Sequence, residues 1–215
     1  MFRKVLLVII LCAVTAAPAF AQSSRIEVSG TFGWTFSDGV PVNAMANGVS
    51  YTKVEPKDSA SIGFSFGVFV TPQAEIEFLW NRQMSQLEVS GPTTVLSADM
   101  NVDNYHGNFI YNFGDEDLMV RPFLLVGIGA TNFGQASYNG HTSDGVTKFS
   151  WAIGGGIKAY PSKHVGFKAM MRWTPNYIKT EGAGWWCDPW WGCYPVGNPY
   201  YANQFEMSGG VTLRF

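Results

Sequence analysis

Alternation with a period of two runs through most of this chain and limits what it can fold into. The final eleven residues set Phe205, Met207, Gly209, Val211, Leu213 and Phe215 against Glu206, Ser208, Gly210, Thr212 and Arg214. Successive strand side chains point to opposite sides of a sheet, so one face is apolar and the other polar. About eight segments share this pattern: 25–36, 58–70, 74–89, 98–113, 119–133, 146–160, 164–174 and 205–215. In 58–70, Ala60, Ile62, Phe64, Phe66, Val68 and Val70 oppose Ser59, Ser61, Gly63, Ser65 and Gly67. A soluble barrel would turn these apolar faces inward. Aromatic residues make up 15% of the chain, too many for so small an interior. The reverse arrangement puts apolar faces on lipid and polar faces inside. It requires a closed ring, because hydrocarbon offers no partner to an open backbone edge. The expected fold is all-β, an eight-stranded antiparallel up-and-down transmembrane barrel.

Residues 1–21 read as a secretion signal. Arg3 and Lys4 precede an apolar run, and Ala19-Phe20-Ala21 supplies a small-x-small cleavage pattern. The run is too short for a spanning helix, which leaves 22–215 as one barrel domain. Without Arg3 and Lys4, 12 basic side chains face 16 acidic ones, and no basic patch points to nucleic acid. Connections alternate between tight turns at 71–73, 114–117 and 161–163 and longer loops at 37–57, 90–97, 134–145 and 175–203. Short turns at one end and long loops at the other characterise outer-membrane barrels, with the long loops outside the cell. An even strand count then returns both termini to the periplasm. Cys187 and Cys193 lie in the last loop of an exported chain, where oxidising surroundings predict a disulfide between them. A metal site lacks nearby ligands.

With these features together, the sequence resembles the small outer-membrane β-barrels of Gram-negative bacteria, the OmpA-, OmpX- and OmpW-type proteins. The stretch Val120-Arg121-Pro122-Phe123 leading to Gly127-Ile128-Gly129-Ala130 looks like the fifth strand of that group. Gly209-Gly210-Val211-Thr212-Leu213-Arg214-Phe215 looks like its C-terminal insertion signal, carried by Phe205, Met207, Val211, Leu213 and Phe215. The resemblance implies an outer-membrane location, contact with membrane lipid and lipopolysaccharide, and recognition by the outer-membrane insertion machinery. It names no ligand.

The inward faces carry Glu27, Glu75, Glu77, Arg121, Lys148, Lys158, Lys168, Arg172, Glu206 and Arg214. An eight-stranded barrel is barely wide enough for its own side chains, so these charges are expected to pair and fill the lumen. Arg172 is expected near Glu206, and Glu27 near Arg214. Trp34, Trp80, Tyr105, Tyr111, Trp151, Tyr160 and Trp173 are read as outward interfacial belts. In the last loop, Trp185, Trp186, Trp190, Trp191 and Tyr194 surround the two cysteines. They are either a binding surface for an extracellular ligand or host surface, or a plug and lipid anchor. No Ser–His–acid set converges on an outward patch. The expectation is a structural or surface-interaction protein without cofactor or enzymatic activity. A narrow pore or lateral-diffusion transporter for small molecules is the alternative.

Overall fold

The computed structural model describes residues 26–46, 49–90, 95–135, 137–138, 141–142, 145–178, 184–188, 192–196 and 200–215. The expected signal, 1–21, lies outside them. In chain order the strands are β1 (Ile26–Ser37), β2 (Val40–Ala46), β3 (Val49–Pro56), β4 (Ser59–Phe69), β5 (Ala74–Ser90), β6 (Val95–Asn112) and β7 (Val120–Phe133). They continue with β8 (Ser137–Tyr138), β9 (His141–Thr142), β10 (Val146–Ala159), β11 (Val165–Ile178), β12 (Gly184–Asp188), β13 (Gly192–Val196) and β14 (Tyr200–Arg214). Eight of them close a ring in the order β1-β4-β5-β6-β7-β10-β11-β14. The seam joins the first strand to the last, antiparallel, from Glu27 opposite Arg214 to Ser37 opposite Gln204.

The tight turns have local causes. At 71–73 the Thr71 hydroxyl accepts the Ala74 amide at 2.9 Å. Gly114 takes a φ of +81°, open to glycine at no steric cost. The third turn is held by the Val165 amide donating to Ser162 Oγ at 3.0 Å.

The faces divide as the alternation requires. Phe64 is 47% exposed and Phe167 56% exposed, while Glu77 and Lys168 are 1% and 2% exposed. That distribution excludes the soluble barrel. Trp34, Tyr105, Tyr111 and Trp173 face outward. Tyr160 does not. It stands two residues beyond the inward Lys158, and its hydroxyl donates to buried Glu27, which corrects its assignment to the belt. Phe123 and Leu125 also turn inward, where they pack with Ile110, Ala152 and Met170. The lumen therefore contains an apolar layer among its polar groups.

Three of the expected loops hold hairpins: β2–β3, β8–β9 and β12–β13. β5 and β6 run on past the ring, paired as far as Ser90 opposite Val95. There β3 takes over from β4 as the neighbour of β5, through Lys53–Ser90 to Pro56–Leu87. Leu87, Ala98, Met100, Val102 and Phe133 form a second buried cluster. β11 and β14 also exceed their expected limits, reaching Ile178 and starting at Tyr200. Pro175 reads as a strand breaker in sequence. In the barrel it sits where the β10–β11 ladder lapses, between the Ser150–Asn176 and Ile153–Trp173 pairs, while its pairing with Asn203 of β14 continues.

Val126 projects outward between Phe109 and Ile153 on the neighbouring strands. Val126→Arg is expected to lose about 2–4 kcal/mol, the cost of a cation at bilayer mid-depth. Urea titration of the folded chain in lipid vesicles measures it.

Candidate functional site: a lumen tied across its diameter

Apart from Glu206 and Arg214, which share β14, the buried acidic and basic side chains come from different walls. Glu27 stands on β1 and Glu75 and Glu77 on β5, whereas Arg121 stands on β7, Lys158 on β10 and Lys168 and Arg172 on β11. All are buried. Lys158 Nζ lies 2.6 Å from Glu27 Oε1 and 2.6 Å from Glu75 Oε2. Lys168 pairs with Glu77. In a ring of eight strands, β5 and β11 are four places apart, so this pair spans the diameter. Arg172 Nη2 meets Glu206 Oε2 at 2.5 Å between adjacent strands, as expected. Arg214 is opposite Glu27 in register, but its Nη2 is 3.8 Å from the carboxylate. Lys158, which sequence reasoning did not pair with Glu27, is its closer cation.

Neutral groups complete the ties. Asn108 Nδ2 donates to Glu77 Oε1 at 3.1 Å, Asn112 Nδ2 to Glu75 Oε2 at 3.3 Å, and Asn81 Nδ2 to Glu206 Oε1 at 2.9 Å. Towards the loop end, Gln204 Nε2 donates to Gln83 Oε1 at 3.2 Å. Such bonds matter because an ion pair taken out of water holds only when its remaining polar atoms are also satisfied. The ammonium groups of Lys158 and Lys168 each lie 5.6 Å from the Phe123 ring centroid, within cation–π range. The opposing wall is small. From Ser59 to Gly67 the inward residues of β4 are Ser59, Ser61, Gly63, Ser65 and Gly67, with buried Phe69 following at the turn end, and a Cβ on Gly67 would run into Glu75 Oε1. Long side chains from one side thus fill the space left by short ones on the other.

His106 is fully buried on β6, with Nε2 3.0 Å from Ser150 Oγ. Thr131 donates to Asn104 Oδ1 at 2.6 Å, and its Oγ1 is 3.1 Å from Ser150 Oγ. Sequence reasoning missed this pair because β6 and β10 supply it from 44 residues apart. No carboxylate among the described residues bonds His106 Nδ1. The group lacks the third member that would orient a nucleophile's base.

Phe205, Met207, Val211, Leu213 and Phe215 all face outward. In the last loop, Trp185 and Trp186 fall on β12 and Tyr194 on β13, with Trp186 opposite Tyr194 and Cys187 opposite Cys193. Trp190 and Trp191 lie outside the described residues.

The family model of the outer membrane protein beta-barrel domain matches residues 5–212. The chain belongs to that family. Its place is accordingly the outer membrane. Among solved structures, Neisserial surface protein A is 15% identical, with 88% of this chain and 97% of that one covered and a TM-score of 0.59. OprG of Pseudomonas aeruginosa is 13% identical, covering 90% and 96%, with a TM-score of 0.60. AlkL, solved in lipid bilayers, is 15% identical, covering 91% and 92%, with a TM-score of 0.54. At such identities the likeness concerns the fold. No curated protein matches the chain in sequence.

Lys168→Met leaves Glu77 buried without its cation and is expected to cost about 3–5 kcal/mol. The double change Lys168→Met with Glu77→Leu is expected to recover most of that loss. Equilibrium unfolding of both variants in vesicles checks the coupling.

Proposed function

We propose that this protein is a non-enzymatic, non-conducting barrel that presents its loop-end hairpins to partners at the cell surface. The observation that carries the reading is the set of ties from Lys158 to Glu27 and Glu75 and from Lys168 to Glu77. They occupy the centre of a ring already narrow for its own side chains, so the structured material beyond the ring is the part left to act. Residues 1–21 serve as the cleaved signal, and the terminal Phe215 strand as the signal to the insertion machinery. Both termini lie in the periplasm, the long loops face outward, and lipopolysaccharide surrounds the outer rim. Cys187 and Cys193 form a disulfide. Their opposed register supports it, because directly opposed strand residues have Cα separations within the range a disulfide spans. The clasp would hold Trp185, Trp186, Trp190, Trp191 and Tyr194 as a preorganised aromatic surface, lowering the ordering cost of binding.

Two measurements test this reading together. In planar bilayers the folded chain is expected to show no steady conductance. On cells, Trp190→Ala with Trp191→Ala is expected to abolish surface adhesion while leaving heat-dependent gel mobility intact. Steady conductance altered by Lys168→Met, or unchanged adhesion, would contradict it.

One observation favours the transport alternative. The lapse in the β10–β11 ladder beside Pro175 adjoins Ala152 of the apolar lumen layer. On its outer side the Trp151 and Trp173 rings meet edge to face at 5.1 Å. A small apolar solute leaving the lumen sideways would pass there. Uptake into vesicles that falls when Pro175→Val restores an N–H would support a lateral route, and uptake equal to protein-free vesicles would reject it.

A further inference from the structure

Among the described residues, the buried charges at the turn end do not balance. Arg121, Lys158, Lys168 and Arg214 supply four cations against the three carboxylates of Glu27, Glu75 and Glu77. Lys158 and Lys168 account for all three carboxylates at close range. Arg214 keeps only its distant approach to Glu27, and its guanidinium lies over the Tyr160 ring, 3.8 Å from the centroid. Among the described residues, no carboxylate lies within ion-pair distance of Arg121. That side chain is fully buried, and its Nη2 donates to two carbonyls of the neighbouring turns, Pro72 O at 2.8 Å and Gly114 O at 3.3 Å. Among the described residues, nothing accepts from Arg121 Nε or Nη1, nor from Arg214 Nε or Nη2. The two arginines belong to one cluster. Arg121 is the register partner of Lys158, and Lys158 shares Glu27 with Arg214.

A buried cation bonded only to neutral carbonyls is unfavourable until an anion joins it. We propose that Arg121 and Arg214 form a binding site for one compact oxyanion, a phosphate or a carboxylate group, at the turn-end mouth of the barrel. Charge-assisted hydrogen bonds from guanidinium to such oxygens are the strong kind. The exposed turn Asp115-Glu116-Asp117 lies six to four residues before Arg121 and disfavours a polyanion. The orientation proposed above makes this mouth periplasmic, so the oxyanion is either free phosphate or the carboxylate of a periplasmic peptide. The site itself does not depend on that orientation.

The test is calorimetric titration of the full chain, folded in zwitterionic detergent at constant ionic strength. One arm uses inorganic phosphate and the other an N-acetylated dipeptide with a free carboxylate. Saturable one-to-one binding is expected, and the tighter arm identifies the source. Arg121→Gln is expected to weaken binding at least tenfold. Arg121→Lys, the second variant should Arg121→Gln not fold, keeps the charge but loses the guanidinium donors, with a several-fold loss expected. No saturable heat from either anion, or an unchanged Kd in the folded variant, overturns the proposal.

Discussion

The structure depends on closure of the backbone ladder. Strands in hydrocarbon cannot leave an edge open, and the β1–β14 seam, paired over eleven residues from Glu27 to Ser37, removes the last one. Once the ring is closed, the alternation has only one consistent orientation. Phe64, Val126 and Phe167 go outward, and the polar residues between them go into a space where water cannot compensate for poor pairing. The ion pairs follow from that confinement. Placing Glu75 and Glu77 on one wall and Lys158 and Lys168 on the other means that neutralising them requires side chains to cross the lumen. Lys168 reaching Glu77 is therefore both an electrostatic necessity and a strut.

The apolar layer modifies this picture in a useful way. Phe123, Leu125, Ile110, Ala152 and Met170 interrupt the polar interior, and Phe123 offers its ring to two ammonium groups. The charges are thus partitioned. A cluster around Glu27, Glu75, Glu77, Lys158 and Lys168 lies towards the turn end, and the Arg172–Glu206 pair carries its own Asn81 hydrogen bond. Beyond the ring, the extension of β5 and β6 carries β3 and β8 as lateral neighbours, with its own buried cluster around Met100 and Val102. The loop-end material is thereby a folded continuation of the barrel wall.

The ring itself was legible in the sequence because period-two alternation is a local signal, repeated eight times. The pairing of Arg172 with Glu206 was legible too, since it follows from hairpin register. The cross-lumen partners were not, because they depend on the angular positions of strands that are distant in sequence. Glu27 was expected to meet Arg214, its register neighbour, yet Lys158 from three strands away lies closer. Tyr160 was read as an interfacial ring by its type, although the alternation puts it on the same inward face as Lys158, and Phe123 and Leu125 broke a pattern that assumed a uniformly polar interior. The hairpins in the loops escaped notice because their residues show no sustained alternation, and Pro175 concealed the last four residues of β11.

The most direct test of the orientation is a nitroxide accessibility scan along β11 in lipid vesicles, one labelled position at a time from 165 to 174. Collision rates with dissolved oxygen, which concentrates in hydrocarbon, should peak at 165, 167, 169, 171 and 173 and fall at 166, 168, 170 and 172. Maxima for a water-soluble paramagnet at 167 and 171, or an oxygen pattern of opposite phase, would contradict a barrel whose apolar side chains face the bilayer.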